Sequence, residues 1–203
     1  MDKQMIRRME SRKQLEEFGQ SCIISDMDIS PDDQIMDVGA FTGSFSLPIS
    51  NYVSEGHVYA VVVDEEPLEI LKRKILKESI DNITPIHLDV DTLAIEHSVF
   101  DDGMDILGVE FESMDKMFMC TVLHEIEEKE RFLKTYSRFL KSGGKIYIVE
   151  FASEVVGTDL RKKEIHKYIP QVEVEKLLKK TCYVNISAKK INERIYMISA
   201  EKE

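Results

Sequence analysis

The chain has 203 residues, 43% of them hydrophobic, enough for one sizeable core and too few for two comfortable domains, so a single domain is expected over 1–203. Lys and Arg number 27 against 38 Asp and Glu, a formal charge of −11 that opposes the phosphate neutralisation on which nucleic-acid affinity rests. Cys22, Cys120 and Cys182 show no CxxC pair or metal-ligand spacing, no apolar run approaches the roughly 20 residues that span a bilayer, and the first residues lack a signal-peptide core, so a soluble cytoplasmic protein without metal or disulfides is expected.

Met5, Met9, Leu15 and Phe18 make a ragged helical stripe over residues 3–21, expected to pack one face on the domain. "SPDDQIMDVG" predicts a turn at Ser30 and Pro31, then a strand from Gln34 to Val38 ending at Gly39. Phe45, Leu47, Ile49 and Tyr52 predict a helix, with Pro48 near enough to its start to be tolerated. "HVYAVVVD" is an unbroken apolar strand of the kind covered on both faces. "DEEPLEILKRKILKES" predicts a helix with Asp64 as N-cap, Glu65 and Glu66 in its first turn, and Leu68, Leu71, Ile75 and Leu76 on one stripe.

A strand "ITPIHLDV", a short helical or irregular piece near 93–97, and a strand "KMFMCTVL" follow. "EKERFLKTYSRFLKSGG" predicts a helix burying Phe132, Leu133, Tyr136, Phe139 and Leu140 and stopped by Gly143-Gly144, leading into the strand "KIYIVEF". "YVNISAKKINERIYMISAEK" predicts two strands around Asn192-Glu193, so the last strand pairs antiparallel, at or near the sheet edge. Segments 100–113 and 152–170 resist assignment. Strands alternating with helices predict an α/β, doubly wound, mostly parallel sheet with helices on both faces.

In such a sheet the ligand crevice lies beyond the carboxyl ends of the strands. Within "IMDVGAFTGSFS", Gly39 and Gly43 let backbone approach a ligand, and the following helix offers free amides; a plain tight turn uses the same residues. His124 and Glu125 in "LHEI" should reach the crevice mouth, where an imidazole takes a proton near neutrality; the competing reading is a polar cap on the strand-to-helix connection. Glu150 falls on the ligand side or pairs with a lysine, and Tyr147 packs in the sheet. His57, His87, His97 and His166 are scattered, and "HEIEE" is not the HExxH of a zinc protease.

"IMDVGAFTGSFSLPIS", "GHVYAVVVDEEPLEILKRK", "HLDVDTL", "MDKMFMCTVLHEI", "FLKSGGKIYIVEF" and the closing hairpin stand in an order and spacing that resemble class I S-adenosylmethionine-dependent methyltransferases. The resemblance covers about residues 30–200 and is nearest the small single-domain branch around the ubiquinone/menaquinone-biosynthesis methyltransferases. It implies a Rossmann-like, seven-stranded sheet with an antiparallel C-terminal strand, S-adenosyl-L-methionine as cofactor, and a first helix that packs on the core or closes as a lid. By position, Asp37, Gly39, Ala40, Phe41 and Gly43 match the first motif, which approaches the methionine moiety. Asp89 matches the acid that reaches the adenine amino group, with the Val90 amide beside it; an ordinary strand-end cap is the alternative for Asp89. Cys120 and Thr121 match positions lining the cofactor pocket.

Two positions depart from the family. Phe41 replaces the middle glycine of the first motif, where an inward ring narrows the slot. Val62 stands where the ribose-gripping acid belongs, and an unpartnered buried hydroxyl costs on the order of 1–3 kcal/mol. Asp64, two residues on and on the same face of an extended chain, either reaches the ribose or caps the next helix. No Asn-Pro-Pro-Tyr-like or Pro-Cys motif of nucleic-acid methyltransferases follows the fourth strand, which together with the charge favours a small-molecule acceptor. Extra residues around 104–112 form an added strand or a flap. The expected function is methyl transfer to a small molecule; the alternative is a catalytically impaired methyltransferase fold acting as a binding or regulatory module. A nicotinamide dehydrogenase is disfavoured by the missing GxGxxG, no membrane insertion is expected, and a homodimer is left open.

Overall fold

The computed structural model describes residues 15–16, 18–88, 108–152 and 168–203. Seven strands form one sheet: β1 (Gln34–Val38), β2 (His57–Val62), β3 (Ile83–His87), β4 (Met114–Cys120), β5 (Leu140–Phe151), β6 (Tyr183–Lys190) and β7 (Ile195–Lys202). Their order is β3-β2-β1-β4-β5-β7-β6. β1 to β5 pair in parallel, and β7 runs antiparallel to both β5 and β6. The chain reverses its direction of travel across the sheet at β1, which lies between β2 and β4. That makes the carboxyl ends of β1 and β4 the crevice.

Strand pleating sorts the core into two layers. Ile35, Val58, Ala60, Val62, Phe118 and Tyr147 point to one face and are covered by α1 (Gln20–Asp26), α2 (Ser46–Ser50) and α3 (Glu65–Glu78). Met36, Val38, Val61, Met117, Ile146 and Ile148 point to the other, under α4 (Lys129–Ser137) and α5 (Gln171–Lys180). At the amino ends of β1 and β4 the Asp33 carboxylate accepts from the Lys116 ammonium at 2.5 Å and from the Ser30 amide at 2.6 Å, so this buried charge is paired. The phenol of Tyr147, 2% exposed and packed in the sheet as expected, donates to the Met27 carbonyl at 2.8 Å.

The last strand pairs antiparallel and near the sheet edge, as expected: β7 is buried along most of its length one place in, and β6, exposed along most of its length, takes the edge itself. Several other expectations are corrected. The helix expected through Gly143-Gly144 ends at Ser137, and β5 already begins at Leu140. Met114 faces Leu140 while Lys116 faces Lys145, so the two glycines fill a strand irregularity instead of stopping a helix. Leu76 is 81% exposed; it lies about 140° around α3 from Leu71 at about 100° per residue, off the buried face. Tyr52 falls beyond the short α2 and is exposed. "KMFMCTVL" stops being strand at Cys120.

The helix α5, which buries Val174 and Leu178 one turn apart, has no counterpart among the expected elements. Most of the expected first helix lies outside the described residues; Gly19 breaks the helical path in the left-handed region, and α1 runs on to Asp26. The piece near 93–97 and residues 104–107 also lie outside. Within 108–112 there is no strand: Val109 is buried and Phe111 packs on Phe139. Among the described residues, no helix is long and apolar enough to cross a membrane.

Candidate functional site

The turn after β1 holds two glycines that no other residue replaces cheaply. Gly39 has φ +79° and a Cβ there would lie 2.4 Å from Val122 Cγ2; Gly43 has φ +83° and would meet Leu71 Cδ1 at 2.5 Å. Both thus combine a left-handed backbone with close approach of a neighbour. The amides of Gly39 and Ala40 are spent on the Val61 carbonyl, at 3.0 and 2.8 Å, which ties the turn to β2. Ala40 itself is buried.

Beneath the turn, Asp37 is 2% exposed and accepts a 2.5 Å hydrogen bond from the Ser46 hydroxyl. Burial pushes its carboxyl up from 3.8 to about 7, with the Ser46 hydrogen bonds pulling the other way. Phe41 sits at φ +53°, left-handed without being glycine, and borders the cleft above. Thr121, after β4, has φ +56°, more unusual still for a β-branched residue. Both strained residues lie at strand ends on the crevice side, where such backbone tends to accompany function.

A shallow cleft of about 100 Å³ lies between this turn and the end of β2, lined by Gly39, Phe41, Val62, Val63, Asp64 and Pro67. Val62 is 1% exposed and belongs to the apolar layer beneath, so its contribution is packing. Asp64 occupies the N-cap position of α3 with extended backbone, and its carbonyl accepts from the Leu68 amide, but its side chain makes no capping hydrogen bond. The expected capping role is therefore corrected to a backbone role alone, and the carboxylate stays exposed beside the cleft. His87, at the end of β3, lies 2.9 Å from the Val63 carbonyl through Nε2, and the Leu88 amide donates to Val62, so β3 braces this lip.

A second group forms at the ends of β4 and β5. Glu150 is fully buried and pairs with a histidine, not a lysine: its Oε2 lies 2.7 Å from His124 Nδ1, and its Oε1 accepts the His124 backbone amide at 3.2 Å. His124 stands on a single 3₁₀ turn, Leu123–Glu125, with its side chain 7% exposed. On the ring's other edge, Nε2 lies 3.3 Å from Oε1 of Glu125, whose side chain is 56% exposed. Phe151 tilts against the imidazole and Phe18 stacks edge-on to Phe151. The Cys120 thiol is pushed well up by burial and by the Glu150 and Asp37 carboxylates, which disqualifies it as a nucleophile. Thr121 returns its hydroxyl to the Cys120 carbonyl at 2.7 Å.

The structure thus gathers Gly39, Phe41, Val62 and Asp64 at one cleft and Cys120, Thr121, His124 and Glu125 at a neighbouring position. Val122 joins the two by its contact with Gly39. Gly43 lies in the first turn but against α3, away from the cleft lining. Asp89 and Val90 lie outside the described residues. Val63 and Pro67 line the cleft without having been singled out; the available signal is an apolar strand that continues one residue past the sheet, since Val63 is 41% exposed. Glu150, the partner of His124, had a signal too, as an acid interrupting the apolar run of β5.

A methyltransferase domain model matches residues 36–146 of the chain. The ubiquinone/menaquinone biosynthesis C-methyltransferase of Vibrio vulnificus is 26% identical over 127 residues, 62% of this chain and 44% of that protein. The chain therefore spans less than half the length of the curated relatives it matches. A SAM-dependent methyltransferase from Aquifex aeolicus superposes with a TM-score of 0.80 over the full length of both chains at 18% identity. The phosphoethanolamine N-methyltransferase 2 of Haemonchus contortus, crystallised with S-adenosyl-L-methionine, superposes with a TM-score of 0.69 at 13% identity, covering 90% of this chain and 52% of that one.

Proposed function

We infer, because this chain belongs to the methyltransferase domain family, that it moves a methyl group from S-adenosylmethionine to a small-molecule acceptor. The observation that carries the reading is the cleft between the glycine turn after β1 and the end of β2, at the carboxyl ends of adjacent parallel strands. Bound there, the cofactor supplies an electrophilic methyl on a sulfonium, open to in-line displacement. Gly39 and Phe41 take the methionine side, with Asp37 below offering a carboxylate to a cation. Asp64 takes the ribose hydroxyls in place of the acid missing at Val62, since the residue borders the cleft and its side chain is not used in capping. Asp89 and the Val90 amide take the adenine, and Cys120 and Thr121 wall the pocket.

The curated relatives are named as C-methyltransferases of ubiquinone and menaquinone biosynthesis. An acceptor of that class, methylated on carbon, must give up a proton, and here His124 receives it on Nε2 with Glu125 passing it to water. The rest of the catalysis is proximity and orientation. The charge of −11 supports a small acceptor over a nucleic acid.

Calorimetric titration of the purified chain with S-adenosylmethionine and S-adenosylhomocysteine tests the reading. Saturable binding at micromolar to sub-millimolar concentration is expected. No heat at millimolar ligand refutes it. Mass spectrometry of compounds released from the denatured protein then names the acceptor class.

A further inference from the structure

Glu150 lies outside the cleft lining, yet it is fully buried, and both of its oxygens are committed to a single residue, His124. A buried carboxylate without partners is costly, so one spent twice on the same residue constrains that residue strongly. We propose that Glu150 is a positioning residue, holding the neutral imidazole of His124 with its proton on Nδ1 and its lone pair on Nε2. The inference rests on the reading of His124 as the proton acceptor and explains how that nitrogen is kept available.

The hydrogen-bond inventory decides the tautomer. The His124 backbone amide only donates, so Oε1 of Glu150 must accept, and an ionised carboxylate leaves Oε2 accepting as well. At 2.7 Å, Nδ1 then has to carry a hydrogen. On the opposite edge, Glu125 is 3.3 Å from Nε2 and its side chain is 56% exposed. When the ring is protonated, both nitrogens donate, one to each carboxylate. When it loses a proton, the two carboxylates are not equivalent. The Glu125 side chain is more than half exposed to solvent, whereas Glu150 is fixed in β5 opposite Tyr196 and fully buried. The proton therefore leaves from Nε2, the edge that faces the half-exposed Glu125. Fixing a tautomer in this way is how a buried acid serves a catalytic histidine in hydrolases.

The tautomer readout needs no acceptor. Long-range nitrogen–proton NMR of the full chain labelled with ¹⁵N-histidine, with His124 identified by its loss in His124→Gln, reads the tautomer directly. In the unaltered chain at alkaline pH, Nδ1 is expected to be protonated and Nε2 bare, by ten to one or more. Glu150→Gln, whose amide both donates and accepts, is expected to admit the Nε2-protonated form to a comparable population. Glu125→Gln is expected to leave the Nδ1-protonated form dominant. A bare Nδ1 in the unaltered chain overturns the proposal, and that spectrum requires no variant to fold. An unchanged tautomer in a folded Glu150→Gln overturns it too. If instead His124→Gln transfers methyl at full rate while the spectrum is as expected, the base assignment fails and the positioning stands.

Discussion

Replacing Asp37 by Asn should stabilise the protein, and by an amount that depends on pH. The carboxyl is 2% exposed, and burial raises it from 3.8 to about 7. Below pH 4 the acid is protonated whether the chain is folded or not, and no difference arises. Between about 4 and 7 the unfolded chain ionises first and binds fewer protons than the folded one, so stability falls as pH rises. Above 7 the full penalty is present. At about 1.4 kcal/mol per pH unit over roughly three units, its ceiling is about 4 kcal/mol. Asn is close to isosteric with the protonated acid and still accepts from the Ser46 hydroxyl, so it escapes the penalty. Urea unfolding of the unliganded proteins should therefore give curves that coincide near pH 4 and separate by several kcal/mol at pH 8, with the variant more stable. A constant difference across that range, or a variant less stable at pH 8, would refute the reasoning. The same variant should bind S-adenosylmethionine more weakly at pH 8, because the charge offered to its cationic groups is gone.

Gly39→Ala should cost about 2–5 kcal/mol in urea unfolding, from the left-handed backbone at φ +79° and a Cβ placed 2.4 Å from Val122 Cγ2; adding Val122→Ala should recover only the overpacking part. Phe41→Gly should leave stability within about 1 kcal/mol, since relief at φ +53° is offset by a freer unfolded chain, while S-adenosylhomocysteine affinity falls several-fold as the ring that shapes the cleft is lost; a rise in affinity would make the ring an obstruction and refute the contact role. Asp64→Asn should hardly move the melting temperature of the unliganded protein, because the side chain makes no capping bond, yet weaken S-adenosylhomocysteine binding by roughly 10–100-fold in calorimetry, the worth of hydrogen bonds to a charged acceptor.

Where the sequence could be read, its pattern had one physical interpretation. The run of β2 is apolar on both faces because helices cover both, and the strand from Gln34 to Val38 is bounded by a proline turn and by a glycine whose φ is positive. Gly143-Gly144 was ambiguous because a glycine pair suits a helix stop and a strand irregularity equally; only the offset between β4 and β5 distinguishes them. Leu76 illustrates the limit of a stripe read by eye, since a residue five positions from the buried Leu71 turns away from the core. At the site, His124 was visible from its place after β4. Its two carboxylate neighbours were not equally visible: Glu125 adjoins it in the chain, whereas Glu150 reaches it from 26 residues away across the β4–β5 pairing.

Phe41 and Val62 looked like two lesions in one pocket, and the structure separates them. Val62 is core: it shares an apolar layer with Ala60 and Leu68, and a carboxylate at that position would be buried in that layer. The end of β2 then turns outward at Val63, and the first carboxylate to stand clear of the layer is Asp64, in a cap position it does not use for capping. Phe41 is a different matter. Its backbone is held in a conformation that glycine adopts freely, so a bulky side chain there is kept against a local energetic preference, and it is kept at the lip of the cleft. A loss of function leaves no reason for that strain to sit where a ligand enters. A ring that shapes the cleft gives it one, which is why the affinity of Phe41→Gly discriminates between a damaged pocket and a specialised one.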